Sequence, residues 1–154
     1  MKLVTLCLLI KDNKVLLAMK KRGFGTGKIN GIGGKVEEGE TIEAAASREV
    51  GEEIGVVIDP AKMEKVGNVK FYFRDKPEWD QDMHVFLVKD WQGEPKESEE
   101  MIPKWYSHGD IPFDVMWADD KHWLPIVLAG KKVEGKFHFI NEGAQIDGFD
   151  IREV

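Results

Sequence analysis

The sequence predicts an α+β fold in which helices cover a mixed β-sheet. Most of the chain consists of short segments rich in β-branched and aromatic residues, whereas the stretch before Gly55 repeats its apolar residues at helical spacing. The 154 residues are 42% hydrophobic, which is enough for one core, and no linker or repeat divides them. We therefore expect a single domain over residues 1–154.

Strands are predicted along most of the chain. Leu3–Ile10 and Val15–Met19 are joined by the polar turn Lys11-Asp12-Asn13-Lys14, which is typical of a hairpin. Later segments with the same β-branched or aromatic enrichment are Lys65–Phe73, Met83–Val88, Pro103–Ser107, Lys136–Ile140 and Phe149–Val154. Together they supply the strands of the expected sheet.

Two helices are predicted to pack against this sheet. The first runs from about Thr41 to Ile54, with Thr41 as N-cap and Gly55 as the C-terminal stop. Its residues expected to face the core are Ile42, Ala45, Ala46, Val50 and Ile54. The second begins near Asp119 or Asp120, and its expected core residues are Trp123, Ile126, Val127 and Leu128.

Charge and hydropathy restrict the partners of the chain. The formal net charge of -6 argues against binding of duplex DNA or RNA, because such binding requires neutralisation of many phosphates. No apolar run approaches the roughly 20 residues that cross a bilayer, so we expect no membrane insertion. The single cysteine, Cys7, has no disulfide partner and is typical of a cytoplasmic protein. A small anionic ligand would require a metal or a local basic patch such as Lys20-Lys21-Arg22.

Three glutamates of the first predicted helix form the strongest candidate site. Glu49, Glu52 and Glu53 stand at positions i, i+3 and i+4, so we expect their carboxylates on one face, opposite the apolar residues. On spacing alone, a solvated helix face is the commoner use of such a cluster. The upstream Gly33-Gly34 and the neighbouring Arg48, which could hold one carboxylate in place, favour a metal site. Magnesium fits, because this hard cation takes oxygen ligands and leaves room for phosphates and water.

The spacing of these residues resembles a known motif. Gly34, Glu40 and the run Arg48-Glu49-Val50-Gly51-Glu52-Glu53-Ile54-Gly55-Val56 match the Nudix box at its fixed positions, so the chain resembles the Nudix hydrolase family. The resemblance implies an α/β/α Nudix sandwich that hydrolyses a nucleoside diphosphate linked to another group. It implies Mg²⁺, with Mn²⁺ as the alternative, and the ligands would be Glu49, Glu52, Glu53 and the carbonyl of Gly34. Glu53 is then expected to be a base or a ligand, and Arg48 to orient an acid.

Beyond this motif, the chain is similar to the branch of the family that hydrolyses oxidised purine nucleoside triphosphates. The similarity includes Lys20-Lys21-Arg22-Gly23-Phe24-Gly25, Met116-Trp117 and Asp119-Asp120. It implies conversion of 8-oxo-dGTP or 2-hydroxy-dATP to the monophosphate and pyrophosphate. The residues that it implies for holding the base are Asn30, Trp117, Asp119 and Asp120. Those implied for the pocket walls are Phe24, Phe71, Met101 and Trp123. Lys20 would approach the phosphates, and Glu100 would join the metal site.

The two adjacent aspartates have a functional and a structural interpretation. If both carboxylates are enclosed, repulsion favours protonation of one, so that one donates and the other accepts a hydrogen bond. We take this as our hypothesis for recognition of both oxidised bases. Asp119 and Asp120 could equally form a helix N-cap with an acidic first turn, and Trp117 and Trp123 could serve core packing.

The substrate and the turnover stay open at this point. Around residues 75–81 the chain has one extra residue relative to that branch, and Gln81 falls near a position where an apolar pocket residue is expected. Alternatives are a Nudix pyrophosphatase for another nucleotide, such as an unmodified dNTP or a nucleotide sugar, and a nucleotide sensor without turnover. In each case we expect a monomer with a small-molecule nucleotide partner.

Overall fold

The computed structural model describes residues 1–154 and has the predicted α+β architecture, with an eight-stranded mixed sheet and two α-helices. The strands are β1 (Lys2–Lys11), β2 (Lys14–Lys20), β3 (Ile29–Asn30), β4 (Glu64–Phe73), β5 (Gln81–Val88), β6 (Met101–Ser107), β7 (Val133–Ile140) and β8 (Gln145–Glu153). The helices are α1 (Ile42–Ile54) and α2 (Asp120–Leu128). Short 3₁₀ turns span Pro60–Lys62, Pro77–Trp79, Phe113–Val115 and Asn141–Gly143.

The sheet contains two parallel strand pairs among antiparallel ones. The strand order is β3-β2-β1-β5-β4-β7-β8, and β6 pairs with β2. β1 is parallel to β5 and β4 is parallel to β7, whereas the other pairs are antiparallel. β1 and β5 are buried over most of their length, as expected for parallel strands that are covered on both faces.

The sheet separates two hydrophobic cores, and β5 shows the division. Met83, Val85 and Leu87 enter one core, whereas Phe86 and Val88 enter the other, because successive side chains of a strand point to opposite faces. α2 covers the first face with Trp123, Leu124 and Val127. α1 covers the second face with Ala46, Val50 and Ile54. The small alanines bring α1 close to the sheet.

A glycine-rich segment lies against β1 on the way to α1. The backbones of Cys7 and Ile32 exchange two hydrogen bonds of 2.6 and 3.1 Å, and the Thr5 amide donates to the Gly34 carbonyl at 2.8 Å. A Cβ at Gly33 would stand 1.8 Å from the Thr5 carbonyl oxygen, so only glycine fits there. The segment therefore needs its glycines to reach the strand.

α1 begins and ends where the sequence predicts. The Thr41 hydroxyl accepts a hydrogen bond from the Ala44 amide at 3.1 Å. Gly55 takes the left-handed conformation with φ of 72°, and its amide donates to the Gly51 carbonyl. These two caps fix the register of the helix that carries the glutamates.

The main differences from the predicted elements concern α2 and the strand ends. Trp123 and Val127 are buried as predicted, and Leu124 is buried with them, whereas Ile126 and Leu128 are only half-buried and pack against the edge of the same core. β7 and β8 begin before the predicted residues, and β8 ends one residue before Val154. The two-residue strand β3 was not predicted, since two residues carry no periodicity.

Candidate active site

The three predicted glutamates of α1 differ in their exposure. Glu53 is 5% exposed and the Glu49 side chain is 16% exposed, whereas the Glu52 side chain is 60% exposed. The three positions lie within about 100° of one another around the helix, with Glu53 on the buried edge of this arc and Glu52 on the exposed edge. The Arg48 Nη1 donates to both Glu49 and Glu52, so these two carboxylates lie together despite their different exposure.

Arg48 organises the acids around it, as the sequence suggested. Its Nε and Nη2 donate to the two oxygens of Glu40 at 2.8 and 2.9 Å, and Nη1 donates to Glu49 at 3.0 Å and to Glu52 at 3.3 Å. Nη2 also donates to the Lys35 carbonyl at 3.0 Å. The hydrogen bonds from Arg48 lower the pKa of Glu40 to about 2. One guanidinium thus fixes α1 relative to the preceding loop.

Gly34 meets Glu49 at the junction of this loop and the helix. A Cβ at Gly34 would stand 2.5 Å from the Glu49 carboxyl carbon, so the absence of a side chain makes room for the carboxylate. The Gly34 carbonyl accepts from the Thr5 amide at 2.8 Å, with the Thr5 hydroxyl at 3.4 Å. Gly34 and Glu49 are therefore adjacent. The Gly34 carbonyl, which was predicted as a metal ligand, accepts its hydrogen bond from Thr5 of β1.

The Glu53 carboxyl is a buried acid. Burial, followed by the negative charge of Glu49, raises its pKa to about 8, and the charge of Glu100 acts in the same direction. Its Oε2 is buried and has no hydrogen-bond partner. A carboxylate in this setting is destabilised unless it holds a proton or meets a positive charge.

The remaining predicted ligands are held by arginines. Glu100 contacts Arg22 at 3.4 Å, and Glu52 contacts Arg48. No group of three His, Cys, Asp or Glu side chains converges into a ready-made metal site. Glu49 and Glu52 share the Arg48 guanidinium and Glu100 lies beside Arg22, whereas Glu53 contacts neither arginine.

Beside these acids lies a cavity of about 380 Å³, a size in the range of small-molecule sites. Residues predicted for the site that line it are Lys20, Phe24, Asn30, Gly34, Phe71, Met101, Trp117, Asp119 and Asp120. The Trp117 and Phe24 rings stack with centroids 5.3 Å apart. The structure thus brings together residues from β2, β3, β4, β6 and α2, which are distant in sequence.

Asp119 and Asp120 are both enclosed, at 4% and 2% exposure. Burial raises the pKa of Asp119 to about 6, and burial together with the charge of Asp119 raises the pKa of Asp120 well above its usual range. Asp119 occupies the N-cap position of α2 and Asp120 its first turn, as the structural interpretation expects, but the Asp119 side chain makes no capping hydrogen bond. The position of Asp119 is therefore that of an N-cap, whereas its carboxylate is used elsewhere.

Trp123 lies outside the cavity that it was predicted to wall. It is fully buried in the core, and its indole Nε1 donates to the Asp119 Oδ2 at 2.8 Å. The two residues are four positions apart on α2, so one helical turn separates them. Trp123 therefore contacts Asp119 rather than the cavity.

Several lining residues were not predicted. Trp79, on a 3₁₀ turn, packs edge-on against Phe24 and Phe73 with ring centroids 5.0 and 5.7 Å away. Lys28 places its ammonium 5.5 Å from the centre of the Trp117 ring. Phe73 could have been found by strand alternation from Phe71, whereas nothing local in the sequence assigns Trp79 or Lys28 to a pocket.

Comparison with known proteins identifies the class. The family profile of the NUDIX domain matches residues 1–127. The chain therefore belongs to the Nudix family of hydrolases, whose members generally use divalent metal ions, as predicted.

Individual relatives narrow the comparison within that class. The chain is 51% identical over 138 residues to the oxidized purine nucleoside triphosphate hydrolase of Danio rerio, covering 90% of this chain and 86% of the relative. It is 46% identical over 153 residues to the enzyme of the same name from Mus musculus, covering 99% and 96%. A MutT protein from Bacillus halodurans has the same fold, with a TM-score of 0.84, 26% identity and coverage of 98% of this chain and 97% of that chain.

Neither α-helix is long and apolar enough to cross a membrane.

Proposed function

We propose that this chain hydrolyses oxidised purine nucleoside triphosphates, such as 8-oxo-dGTP and 2-hydroxy-dATP, to the monophosphate and pyrophosphate. The single observation that carries the proposal is the joining of two sites by Gly34, which lines the aromatic cavity and contacts Glu49 of α1. A base in the cavity would leave its phosphates beside the acids. Such hydrolysis would remove oxidised nucleotides from the precursor pool for DNA synthesis.

The residues present fit a divalent cation. Glu53 has a buried carboxylate oxygen without a hydrogen-bond partner, and the absence of a side chain at Gly34 leaves room for the Glu49 carboxylate. Carboxylate oxygens are the ligands that Mg²⁺ prefers, so Glu49, Glu52, Glu53 and Glu100 would hold Mg²⁺, with Mn²⁺ as a substitute. When bound, the cation supplies positive charge that stabilises the phosphate oxygens.

The side chains of this chain would supply the rest of the reaction. Water forms a bond to a phosphorus of the triphosphate, the link between the α- and β-phosphates breaks, and pyrophosphate leaves. The Glu53 carboxylate would take the proton of that water. Arg48 would keep Glu49 and Glu52 in place through its hydrogen bonds, and Lys20, which lines the cavity, would neutralise phosphate charge.

For the base, the cavity offers aromatic faces and polar groups. Trp117 would stack on the purine, and Phe24, Phe71 and Met101 would exclude water from it. Asn30, Asp119 and Asp120 would face its edge. The raised pKa values of the two aspartates support a pair that holds one proton, so that one carboxyl donates and the other accepts.

A panel of nucleotides tests the proposal. The protein is incubated with Mg²⁺ and dGTP, 8-oxo-dGTP, dATP, 2-hydroxy-dATP or a nucleotide sugar, and pyrophosphate and monophosphate are measured. We expect the oxidised bases to be preferred. The variant with Glu49→Gln, Glu52→Gln and Glu53→Gln together should lose turnover by at least about 10³-fold. Undiminished turnover in that variant, or tight binding without products in the unaltered protein, would contradict hydrolysis at this site.

We further propose that the protein acts as a monomer in the cytoplasm. All residues of the proposed site come from one chain, and the single thiol, Cys7, is buried and free. Light scattering after size-exclusion chromatography measures the mass, and a stable dimer would contradict the monomer.

A further inference from the structure

Gln81 brings a polar side chain to the apolar face of the sheet that forms the floor of the cavity. It is the first residue of β5, and alternation along the strand places it on the same face as Met83, Val85 and Leu87. Gln81 and Met83 both line the cavity. The side chain therefore points to the ligand side of the sheet and not toward α1.

Its neighbours on the adjacent strands are mainly apolar. In the sheet register, Gln81 stands opposite Phe71 of β4 and beside Lys2 of β1. The apolar residues of these three strands that line the cavity are Val4, Leu6, Phe71, Phe73 and Met83. Thr5 of β1 also lines the cavity, but strand alternation turns its side chain away from Val4 and Leu6, whereas the half-buried Gln81 side chain lies on their face of the sheet and is positioned to meet a ligand.

The amide of Gln81 is not used within the protein. On either side, the Asp80 Oδ1 accepts from the Phe73 amide at 2.8 Å and the Asp82 Oδ1 accepts from the Asn68 side chain at 2.6 Å. Gln81 has no such hydrogen bond. Of the other polar groups around the cavity, the Asn30 Oδ1 already accepts from the Gly31 amide at 2.9 Å. Gln81 thus keeps two donors and an acceptor free on the floor of the cavity.

We propose that Gln81 is a specificity-determining residue whose side-chain amide hydrogen-bonds the polar edge of the purine and so selects among bases. The proposal rests on the proposed function and deepens it. Purines differ in the donors and acceptors of their edges, and an enclosed amide left unpaired by one base is satisfied by another. An apolar side chain at this position would fill space without distinguishing these edges.

Gln81→Met is the central variant, because it keeps an unbranched side chain and removes both polar groups. kcat/KM is measured for dGTP, 8-oxo-dGTP, dATP and 2-hydroxy-dATP, with the same sugar and triphosphate throughout. We expect the ratios among bases to change by about five- to tenfold, the worth of one or two neutral hydrogen bonds. Gln92→Met, at an exposed glutamine outside the cavity, is the matched control and should leave the ratios unchanged.

A second variant distinguishes a change in base recognition from a loss of folding. Gln81→Glu is nearly isosteric and replaces the amide donors with a carboxyl, so it should also change the ratios while its thermal midpoint shows that it is folded. Ratios within about twofold of the unaltered protein in both folded variants would overturn the role of Gln81 and leave the proposed function intact. Absence of any base preference in the unaltered protein, with turnover retained, would overturn both the role of Gln81 and the proposed preference for oxidised purines.

Discussion

Gly34 is the residue at which the two halves of the site meet, and it can be tested alone. In Gly34→Ala the new Cβ would stand 2.5 Å from the Glu49 carboxyl carbon, so this carboxylate must move. Because the displaced group is the end of a flexible side chain, we expect a loss of stability below about 1 kcal/mol. The misplaced ligand should reduce kcat/KM by about 10²-fold.

Nucleotide hydrolysis and urea unfolding measure these two effects. Gly109→Ala is the matched control, since a Cβ there meets nothing within 4 Å. Full activity in folded Gly34→Ala would show that the contact between Gly34 and Glu49 does not matter for turnover.

The buried aspartate pair should make stability depend on pH. Burial raises the folded pKa of Asp119 from its ordinary value of 3.8 to about 6, and burial together with the charge of Asp119 raises the pKa of Asp120 well above its ordinary value. Between the ordinary pKa of 3.8 and the raised pKa values of the folded protein, the unfolded chain releases protons that the folded protein retains. The contribution of this pair to the free energy of unfolding is therefore fully present below about pH 4, and it is lost as the pH rises through 6 and beyond.

Asp120→Asn should remove part of this dependence. We expect the free energy of unfolding of the variant to rise relative to that of the unaltered protein between pH 4.5 and pH 8, because an amide has no proton to lose. Urea unfolding at both pH values measures the gain. Asp114→Asn, at an exposed aspartate, is the control. Parallel curves for Asp120→Asn and the unaltered protein would contradict the prediction.

At the scale of elements, α1 contains two glycines with opposite requirements. Gly51 lies inside the helix, where a Cβ would meet only the Val56 carbonyl oxygen at 3.7 Å. Gly55 ends the helix in the left-handed conformation. Gly51→Ala should stabilise the protein by up to about 1 kcal/mol, whereas Gly55→Ala should destabilise it by about 1 kcal/mol.

Each alanine variant serves as the control for the other, because both lie on the same helix. Guanidinium unfolding with a shared m-value measures the difference. Two changes of the same sign would show that packing, and not backbone conformation, governs these positions. The preceding cap at Thr41 is unchanged in both variants.

At the scale of the whole molecule, the proposed cation should stabilise the fold. A ligand that binds only the folded state adds about 2.7 kcal/mol at a concentration of 100 Kd. We therefore expect Mg²⁺ to raise the melting temperature of the unaltered protein by several degrees. The double variant Glu49→Gln, Glu53→Gln should lose this shift, whereas Glu94→Gln, at an exposed loop residue, should keep it. An equal shift in the double variant would place the cation elsewhere.

Much of the architecture follows from local patterns in the sequence. The hairpin of β1 and β2, the helix α1 with Thr41 and Gly55 at its ends, and the mixed sheet were all predicted and are present. They are predictable because periodicity and capping depend on a few neighbouring residues. On α2, Trp123 and Val127 are buried as predicted, but the burial of Leu124 was missed because the apolar residues of this helix are nearly continuous and fit more than one side.

The sequence by itself determined the class of protein, because the spacing of Gly34, Glu40 and the run from Arg48 to Val56 is a local property of the chain. The tertiary structure decided what surrounds each acid: Glu52 is exposed, Glu53 is buried, and Trp123 contacts Asp119 from the core. It also brought Trp79 and Lys28 to the cavity. Burial and pKa depend on atoms supplied by distant strands, and the order of those strands is fixed only when the sheet packs between its helices.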